Sequence, residues 1–437
     1  MSNSITYPSS VGDFSGIKEN NVIVVKNIRY AKSERYHNPI PVQNEQFISN
    51  KIVMCPQNPS DLTYKYLEKI DINDCHFDES PQYLTITIPD NSQFNKNLPV
   101  VVWIHGGSYE YGAGSIGTSD PSVWVDEQHI IVVSLTFRLG IFGFLGGYDK
   151  RKANLGLLDI IEGLKWVKEN IAAFGGDHNN ITIMGQSAGG DAVTHLLGIE
   201  KANNLFKRAI IHSAPLSLRV KKAKLNKYFS EQTANIQNDS DLSKLLNIQN
   251  NNRPPLLQFG LKAFMPFGLE YGFDPLPKEY EMQKSWNKNA NKYDVLIGNN
   301  TEEASFFLKT TNFYLKYKNN TINNFITNKL INGITNSIYK NPCTKFANDY
   351  SKAGGNIYYY TISPLINGVD LAAGHCIDLP LIFANEKAWK NAEMLKDIAW
   401  NYIFENGKLM RKIWADFARN GKISNEQSPE FLTINKV

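Results

Sequence analysis

The sequence predicts an α/β fold in which a mostly parallel central sheet is flanked by helices. Short apolar segments such as residues 100–104 alternate along the chain with helix-compatible segments, and this alternation is typical of parallel sheets covered on both faces. The chain has 437 residues, enough for a large core within one α/β domain. A third observation, a strand–turn–helix segment at residues 179–197, also indicates where chemistry occurs.

That segment contains a serine in a turn with little room. An apolar strand leads into Gly185-Gln186-Ser187-Ala188-Gly189, and a helix-compatible run follows. Gly-x-Ser-x-Gly between a strand and a helix is typical of the nucleophile elbow. The two glycines leave space for the sharp turn, and the serine hydroxyl then sits at a helix N-terminus, where developing negative charge is favoured. The pattern predicts Ser187 as a nucleophile.

A serine nucleophile of this kind works with a histidine and an acid, and the three occur along the chain in the order serine, acid, histidine. This order selects the histidine. Of the eight histidines, three follow Ser187. His195 lies within the elbow helix and His212 ends the next strand, so neither leaves room for an acid on another strand. His375 does, and it falls in a Gly/Ala-rich segment after the predicted strand 357–362. His375 is the predicted base.

The acid should lie between these residues, at the C-terminal end of a strand. The apolar segment 295–298 is followed by Glu302 and Glu303, and Asp294 and Asp370 are further candidates. The residue pattern by itself does not distinguish these four carboxylates.

Several further motifs resemble the type-B carboxylesterase/lipase family, which includes cholinesterases and bacterial para-nitrobenzyl esterases. The matching segments are residues 28–31, 103–107, 137–144, 154–159, 166–177, 205–210 and 414–418. The resemblance implies an α/β-hydrolase fold with helical cap insertions, formed by one domain spanning residues 1–437. We expect the Asn- and Lys-rich segments 235–253 and 316–336 to be helical cap and surface segments. The family's acid motif falls on residues 298–305 and implies Glu303 as the triad acid, and its histidine loop falls on residues 375–380.

The same resemblance implies an oxyanion hole. Acyl transfer creates an anionic oxygen that backbone N–H groups must stabilise, and a glycine loop after the strand 100–104 stands where such enzymes place it. The expected donors are the amides of Gly106, Gly107 and Ala188. The family usually has a third glycine where this chain has Ser108, and cholinesterase-like members have Glu where it has Gln186. We expect these two residues to contribute to substrate binding.

A competing motif lies nearby. Residues 112–117 read Gly-x-Gly-x-x-Gly, which also occurs in dinucleotide-binding folds. That motif works only directly between a strand and a helix, whereas here seven residues separate it from the predicted strand and Pro121 soon follows. We therefore expect an active-site loop and no nucleotide cofactor.

Charge and composition argue against nucleic acid as a partner and against a membrane-spanning segment. The net charge of +4 is small, and no nucleic-acid motif accompanies basic runs such as residues 221–224, which we expect to be solvated surface. The sequence shows neither a membrane span nor a signal peptide, so the expected location is the cytoplasm. A reduced state of the four cysteines fits that location. The usual family partner of Cys55 is replaced, and pairing with Cys75 stays open, as does the oligomeric state.

The resemblance implies a serine carboxylester hydrolase that acts on small to medium uncharged esters through an acyl-enzyme, with no metal or cofactor. An amidase or lactonase with the same triad is an alternative, because pocket shape selects the leaving group. A non-catalytic cholinesterase-like binding protein is a third hypothesis. Retention of Ser187, Glu303 and His375 argues against it.

Overall fold

The fold is built on an eleven-stranded sheet. A computed structural model describes residues 4–9, 12–58, 60–90, 97–147, 151–233, 241–423 and 428–437. In chain order the strands of the sheet are β1 (Ser4–Ser9), β2 (Gly12–Glu19), β3 (Val22–Arg29), β4 (Tyr83–Pro89), β5 (Leu98–Ile104), β6 (Ile131–Thr136), β7 (Gly176–Gln186), β8 (Arg208–His212), β9 (Asp294–Asn300), β10 (Ile357–Ile362) and β11 (Leu432–Lys436). Two small two-stranded sheets pair Ala31–Lys32 with Ile40–Pro41 and Ile52–Met54 with Cys75–Phe77.

The sheet is mixed, with its parallel strands at the centre. The strands lie in the order β1-β2-β3-β4-β6-β5-β7-β8-β9-β10-β11. Neighbours from β6 to β10 are parallel. The strands β1 to β4 pair antiparallel with each other and β4 pairs antiparallel with β6, while β11 returns antiparallel to β10. The parallel strands that carry the predicted site motifs therefore share one C-terminal edge, where ligands bind in open α/β sheets.

Helices connect the strands and cover both faces. In chain order they are α1 (Asp61–Tyr66), α2 (Ser122–Gln128), α3 (Gly140–Gly143), α4 (Leu155–Asn170), α5 (Ala188–Leu196), α6 (Ala223–Gln232), α7 (Leu242–Asn251), α8 (Leu256–Phe259), α9 (Met282–Asn289), α10 (Ser305–Leu308), α11 (Asn312–Tyr317), α12 (Thr321–Thr335), α13 (Asn341–Lys352), α14 (Asp378–Ile382), α15 (Glu386–Trp389) and α16 (Trp400–Asn420). A π-helical turn, Asn336–Lys340, joins α12 to α13.

Two of the connections are the predicted cap insertions. Helices α6 to α9 lie between β8 and β9, and α10 to α13 lie between β9 and β10. The predicted segment 316–336 ends α11 and forms α12, and residues 242–251 of the segment 235–253 form α7. Residues 234–240 lie outside the described residues.

The core consists of two layers on opposite faces of the sheet. Strand β5 is apolar along its length because both of its faces are covered, as is typical of central parallel strands. Val100 and Val102 join a buried cluster with residues of α4, whereas Val101 and Trp103 join a second cluster with residues of α16. This packing holds the strand ends in place beneath the site.

Two features bear on the composition arguments. The four cysteines are all buried and free, so Cys55 and Cys75 do not pair. None of the described helices combines the length and apolar character needed to cross a bilayer.

The prediction of solvated surface for residues 221–224 was wrong at one position. Lys222 is buried, and its Nζ donates to the main-chain oxygens of Met265 and Phe267. Desolvation lowers the pKa of this lysine to about 8. The chain between β8 and β9 folds back over the side chain and supplies carbonyl acceptors in place of water, which a short basic run does not reveal.

Candidate active site

Ser187 occupies a strained turn at the C-terminal edge of the parallel strands. Its φ of 55° and ψ of −122° lie in a sparsely populated region that costs a non-glycine residue about 1–3 kcal/mol. Its amide donates to the His212 carbonyl on β8, and its carbonyl accepts from the Asp191 amide in α5, both at 2.9 Å. The neighbouring strand and the following helix thus hold the turn in place.

Close packing explains the glycines on either side of this serine. A Cβ on Gly189 would lie 2.0 Å from the carbonyl oxygen of Ile104 at the end of β5. A Cβ on Gly185 would lie 2.4 Å from the main chain of Gly189. Neither position has room for a side chain, which is the physical reason for the motif inferred from the sequence.

The structure brings His375 and Glu303 together. His375 Nδ1 lies 2.6 Å from Glu303 Oε2, and both side chains are buried. The other carboxylate oxygen of Glu303 accepts the Asn300 amide at 2.7 Å. A buried carboxylate at Nδ1 favours the tautomer with its proton on that nitrogen, which leaves the lone pair on Nε2. The imidazole is therefore arranged as a proton acceptor.

The other candidate acids have basic partners elsewhere. These ion pairs, by N···O distance, are Glu302 with Lys309 at 3.9 Å, Asp370 with Lys309 at 3.0 Å and Asp294 with Arg208 at 3.2 Å. Of the four carboxylates that the sequence left open, Glu303 is the one placed at His375.

The two histidines that the sequence argument set aside make structural hydrogen bonds. His195 Nδ1 lies 2.7 Å from the Asp191 carbonyl and Nε2 lies 2.8 Å from the Tyr271 hydroxyl. Burial lowers the pKa of His195 to about 4. His212 Nε2 accepts the indole N–H of Trp414 at 2.8 Å.

Of the predicted oxyanion residues, Gly106 and Ala188 lie beside Ser187, and Gly107 lines the same cavity. A Cβ on Gly106 would lie 3.2 Å from the Ser187 Cβ. Gly107 has a φ of 103°, and a Cβ there would lie 2.1 Å from the Tyr111 carbonyl oxygen. Ala188 is the first residue of α5, where a backbone N–H has no acceptor within the helix. Their use as oxyanion donors stays a prediction.

Gln186 contacts the histidine rather than standing free in the cavity. Its side-chain nitrogen lies 3.3 Å from His375 Nε2 and 3.4 Å from the Sγ of Cys376. The Gln186 amide can therefore donate to the nitrogen that is free to accept a proton. Burial raises the pKa of the Cys376 thiol well above its ordinary value, so it stays protonated at neutral pH. Ser108, with a φ of 57°, lies on the cavity wall.

A cavity of about 330 Å³ opens over Ser187. Most of its wall is apolar, and these side chains are Leu62, Leu67, Ile70, Trp103, Ile116, Phe264, Phe306, Phe307 and Leu379. Its carboxylates have partners: Glu68 accepts the Thr118 amide at 2.8 Å, and Glu110 pairs with Arg253 at 2.8 Å. Burial raises the pKa of Glu110 and Arg253 partly offsets this. Gly112 also lines the cavity, so the segment 112–117 contributes to its wall as expected.

Sequence reasoning missed three contacts around Glu303 and His375. The Asn300 amide that binds Glu303 could have been inferred, because Asn300 ends β9 only three residues before the acid. The rings of Phe307 and Tyr339 lie 5.4 and 5.3 Å from the His375 ring. Those rings come from α10 and from the π-helical turn, and no sequence pattern pointed to them.

Comparisons with known proteins identify the family of the chain. The model of the carboxylesterase family matches residues 3–312. The chain is 32% identical to a probable N-octanoylanthranilate hydrolase of Rhodococcus erythropolis over 98% of this chain and 95% of that protein. It is 41% identical to a para-nitrobenzyl esterase of Bacillus subtilis over 46% of this chain and 42% of that protein.

Solved structures show the same similarity over the full length. A thermophilic para-nitrobenzyl esterase aligns with a TM-score of 0.75 and 26% identity, covering 99% of this chain and 97% of the other. Family model, relatives and fold thus identify a carboxylester hydrolase, and the chain belongs to the carboxylesterase family.

Proposed function

We propose that Ser187, His375 and Glu303 are the catalytic triad of this esterase. His375 Nε2 takes the proton of the Ser187 hydroxyl as Oγ attacks the ester carbonyl carbon. Glu303 orients the imidazole and stabilises the imidazolium that forms. The imidazolium then gives its proton to the departing alcohol, and water activated by the same nitrogen hydrolyses the acyl-enzyme. The observation that carries the proposal is the 2.6 Å contact between His375 and Glu303 beside the elbow.

The oxyanion of each tetrahedral intermediate is held by the amides of Gly106, Gly107 and Ala188. Support comes from the close approach of Gly106 to Ser187 and from the orphan N–H at the start of α5. Donors fixed before the reaction are the largest electrostatic contribution in such sites. Gln186 and Ser108 border the reacting groups and are proposed to contact the substrate.

The preferred substrates are small to medium uncharged carboxylic esters. The apolar wall favours an uncharged acyl chain, and a volume of about 330 Å³ is at the small end of ligand pockets. The cavity carboxylates are occupied by Thr118 and Arg253, so they offer little to a charged substrate.

Hydrolysis of N-acyl compounds is a second candidate activity. The Rhodococcus erythropolis relative, which matches this chain over 95% of its own length, is named as a probable hydrolase of N-octanoylanthranilate. That name denotes an N-acyl bond. The same triad could cleave an amide if His375 delivers its proton to the leaving nitrogen.

Paired substrates and a serine variant test both candidates. Nitrophenyl esters of increasing acyl length should be turned over faster than the matching nitroanilides. Ser187→Ala should abolish turnover of both and abolish fluorophosphonate labelling, because losing a triad nucleophile costs on the order of a million-fold in kcat. Ser134→Ala, which removes a buried hydroxyl on β6, should retain activity. A Ser187→Ala protein with a tenth of the wild-type rate would contradict the triad, and faster anilide turnover would favour the amidase.

Two wider properties belong to the same proposal. A cytoplasmic location is supported by the four free cysteines, since thiols stay reduced there. A single domain is supported by the sheet, whose strands come from both ends of the chain, at Ser4–Ser9 and Leu432–Lys436.

A further inference from the structure

Helix α12 turns its apolar stripe toward solvent. Ile322, Phe325, Ile326 and Leu330 recur at the spacing of one helix face, and each is more than half exposed. The opposite face, which packs inward, carries Thr327, Ile331 and Thr335. A helix on the surface of a globular protein ordinarily has the reverse arrangement, with its apolar stripe inside.

The neighbouring segments extend this exposed apolar surface to the mouth of the cavity. Phe307 and Phe264 both line the cavity and are both exposed, so they stand at its opening. We call the whole set the apolar rim: Leu256, Leu257, Leu261, Phe264, Phe307, Phe313, Tyr317, Ile322, Phe325, Ile326 and Leu330. Helices α10 and α11 both pack against α12, and exposed apolar side chains grouped in this way mark an interaction site.

The charge around the apolar rim is positive. Residues 305–348 contain six lysines and no Asp or Glu, and residues 253–265 contain Arg253 and Lys262 with no acid. Three of these eight cations pair with acids outside the two ranges: Lys309 with Asp370, Lys345 with Asp349 and Arg253 with Glu110. The other five have no carboxylate partner within the described ranges, and they are Lys262, Lys316, Lys318, Lys329 and Lys340. The ammonium groups of Lys316 and Lys329 lie 5.2 Å from the rings of Tyr317 and Phe325, respectively. Within the described ranges, neither lysine has a carboxylate within 4.0 Å. Cations and exposed aromatic rings thus share one surface.

We propose that the apolar rim docks on an anionic lipid bilayer. Helices that lie in a membrane interface combine apolar side chains with lysines that meet anionic headgroups. A second copy of the chain presenting the same surface would oppose lysine to lysine, so charge favours the lipid. The proposal rests on the proposed function in one respect: the cavity mouth at Phe264 and Phe307 would receive esters dissolved in the bilayer.

Vesicle flotation with Ser187→Ala protein, which does not hydrolyse the lipid, tests the docking alone. The protein should float with phosphatidylcholine vesicles containing about one third phosphatidylglycerol and not with pure phosphatidylcholine. High salt should weaken binding because it screens the lysines. Phe325→Glu with Ile326→Glu should lower the apparent affinity at least about tenfold. A matched control is Ile40→Glu with Ile48→Glu, which changes side chains that are at least as exposed (66% and 73%, against 63% and 51% for Phe325 and Ile326) but lie outside the rim.

Either of two results would overturn the proposal: unchanged flotation of the Phe325/Ile326 variant, or self-association without lipid that this variant abolishes. The same double variants made with Ser187 retained are checked for folding by hydrolysis of a short soluble nitrophenyl ester, because neither Phe325 nor Ile326 lines the cavity. That activity should be unchanged in both double variants. If Ser187→Ala kept its activity while flotation behaved as expected, the triad would fail and the docking surface would stand.

Discussion

Two regions meet at the cavity and are built in opposite ways. The proposed catalytic frame, formed by Ser187, Glu303, His375 and the strand ends that hold them, is closely packed, and Glu303 uses both carboxylate oxygens. The apolar rim consists of inserted helices that expose large apolar side chains and leave Lys316 and Lys329 without carboxylate partners within the described ranges. In the first region the carboxylate of Glu303 is bound within the chain through both oxygens, whereas the second leaves apolar side chains and cations exposed for something outside the chain.

The contrast assigns different physical tasks to the two regions. Proton transfer and carbonyl attack depend on atoms held within fractions of an ångström, since small displacements cost large factors in rate. The main-chain contact that excludes a Cβ from Gly189 provides that constraint. Docking on a surface, as proposed for the rim, depends on accessible area and charge, which helices outside the sheet can supply without moving the frame.

After the loss of Ser187 itself, the largest expected effect is in the frame and separates two adjacent carboxylates. Glu303→Gln should lower kcat roughly ten-thousand-fold, by analogy with the acid of a protease triad, because the amide no longer favours the required tautomer and cannot stabilise the imidazolium. Glu302→Gln is the matched control. Its carboxylate is partly exposed and pairs with Lys309, so kcat should change little. Steady-state kinetics on a nitrophenyl ester measures both.

The reverse ranking of these two variants would show that the acid had been assigned to the wrong residue. Equal losses in both would indicate that the segment 302–303 acts through folding, and circular dichroism would reveal it. In either case the contact between Glu303 and His375 would no longer predict which carboxylate matters for kcat.

Much of the frame was predictable from the sequence because its constraints are local or set by chain order. Gly185 and Gly189 report a turn that admits no side chain, and the order of serine, acid and histidine leaves His375. The residue pattern alone could not assign the acid, because Glu302 and Glu303 are adjacent and differ only in the direction in which the turn after β9 orients each side chain. The family resemblance named Glu303, and the structure places it against the imidazole.

The apolar rim was not predictable in the same way. The sequence indicates helices in residues 316–336, but the usual rule that the apolar face of a helix packs inward gives the wrong orientation here. Ile322 and Phe325 would be assigned to the interior by hydrophobicity, and Thr327 and Thr335 to the surface. Packing against α10 and the loop after β9, where Thr335 accepts the Ala304 amide at 3.1 Å, reverses that orientation.

A second prediction concerns the energetic consequence of burying two histidines near the frame. Burial lowers the pKa of His105 and of His195 from 6.5 to about 4. Between pH 6.5 and 4 the unfolded chain binds these protons and the native chain does not, so stability falls as the pH drops through that window. From pH 7 to pH 5 each histidine should lower the free energy of unfolding by about 2 kcal/mol. Urea unfolding at the two pH values measures the loss.

A histidine variant isolates one of these contributions. His195→Gln should reduce the loss between pH 7 and pH 5 by about 2 kcal/mol, because one of the two groups no longer titrates. His178→Gln removes an exposed imidazole and should leave the loss as in the wild type. If the two variants behaved alike, burial of His195 would not be the cause of the acid sensitivity.

The smallest expected effect is at the cavity wall between the two regions. Choline esters should react no faster than 3,3-dimethylbutyl esters, which have the same shape without the charge. An aromatic face contributes only about 0.5–2 kcal/mol to a bound cation, best from Trp, and Trp103 is buried with Phe383 packed against its ring. Glu110 is paired with Arg253, and Glu68 accepts the Thr118 amide. We therefore expect a kcat/KM ratio within about threefold of one, well under the 1.4 kcal/mol of a tenfold change.

The same measurement identifies the responsible group if the expectation fails. Glu68 is the cavity carboxylate without a basic partner in the ion pairs of the described residues, so it is the group to test. Because the Thr118 amide already binds its carboxylate, we expect Glu68→Gln to leave the ratio of the two esters unchanged. A tenfold preference for the choline ester that disappears in Glu68→Gln would show that Glu68 binds the cation through its remaining oxygen. The cavity wall would then favour a positively charged substrate. The proposed preference for uncharged esters would be wrong, even if the proposed catalytic residues were correct.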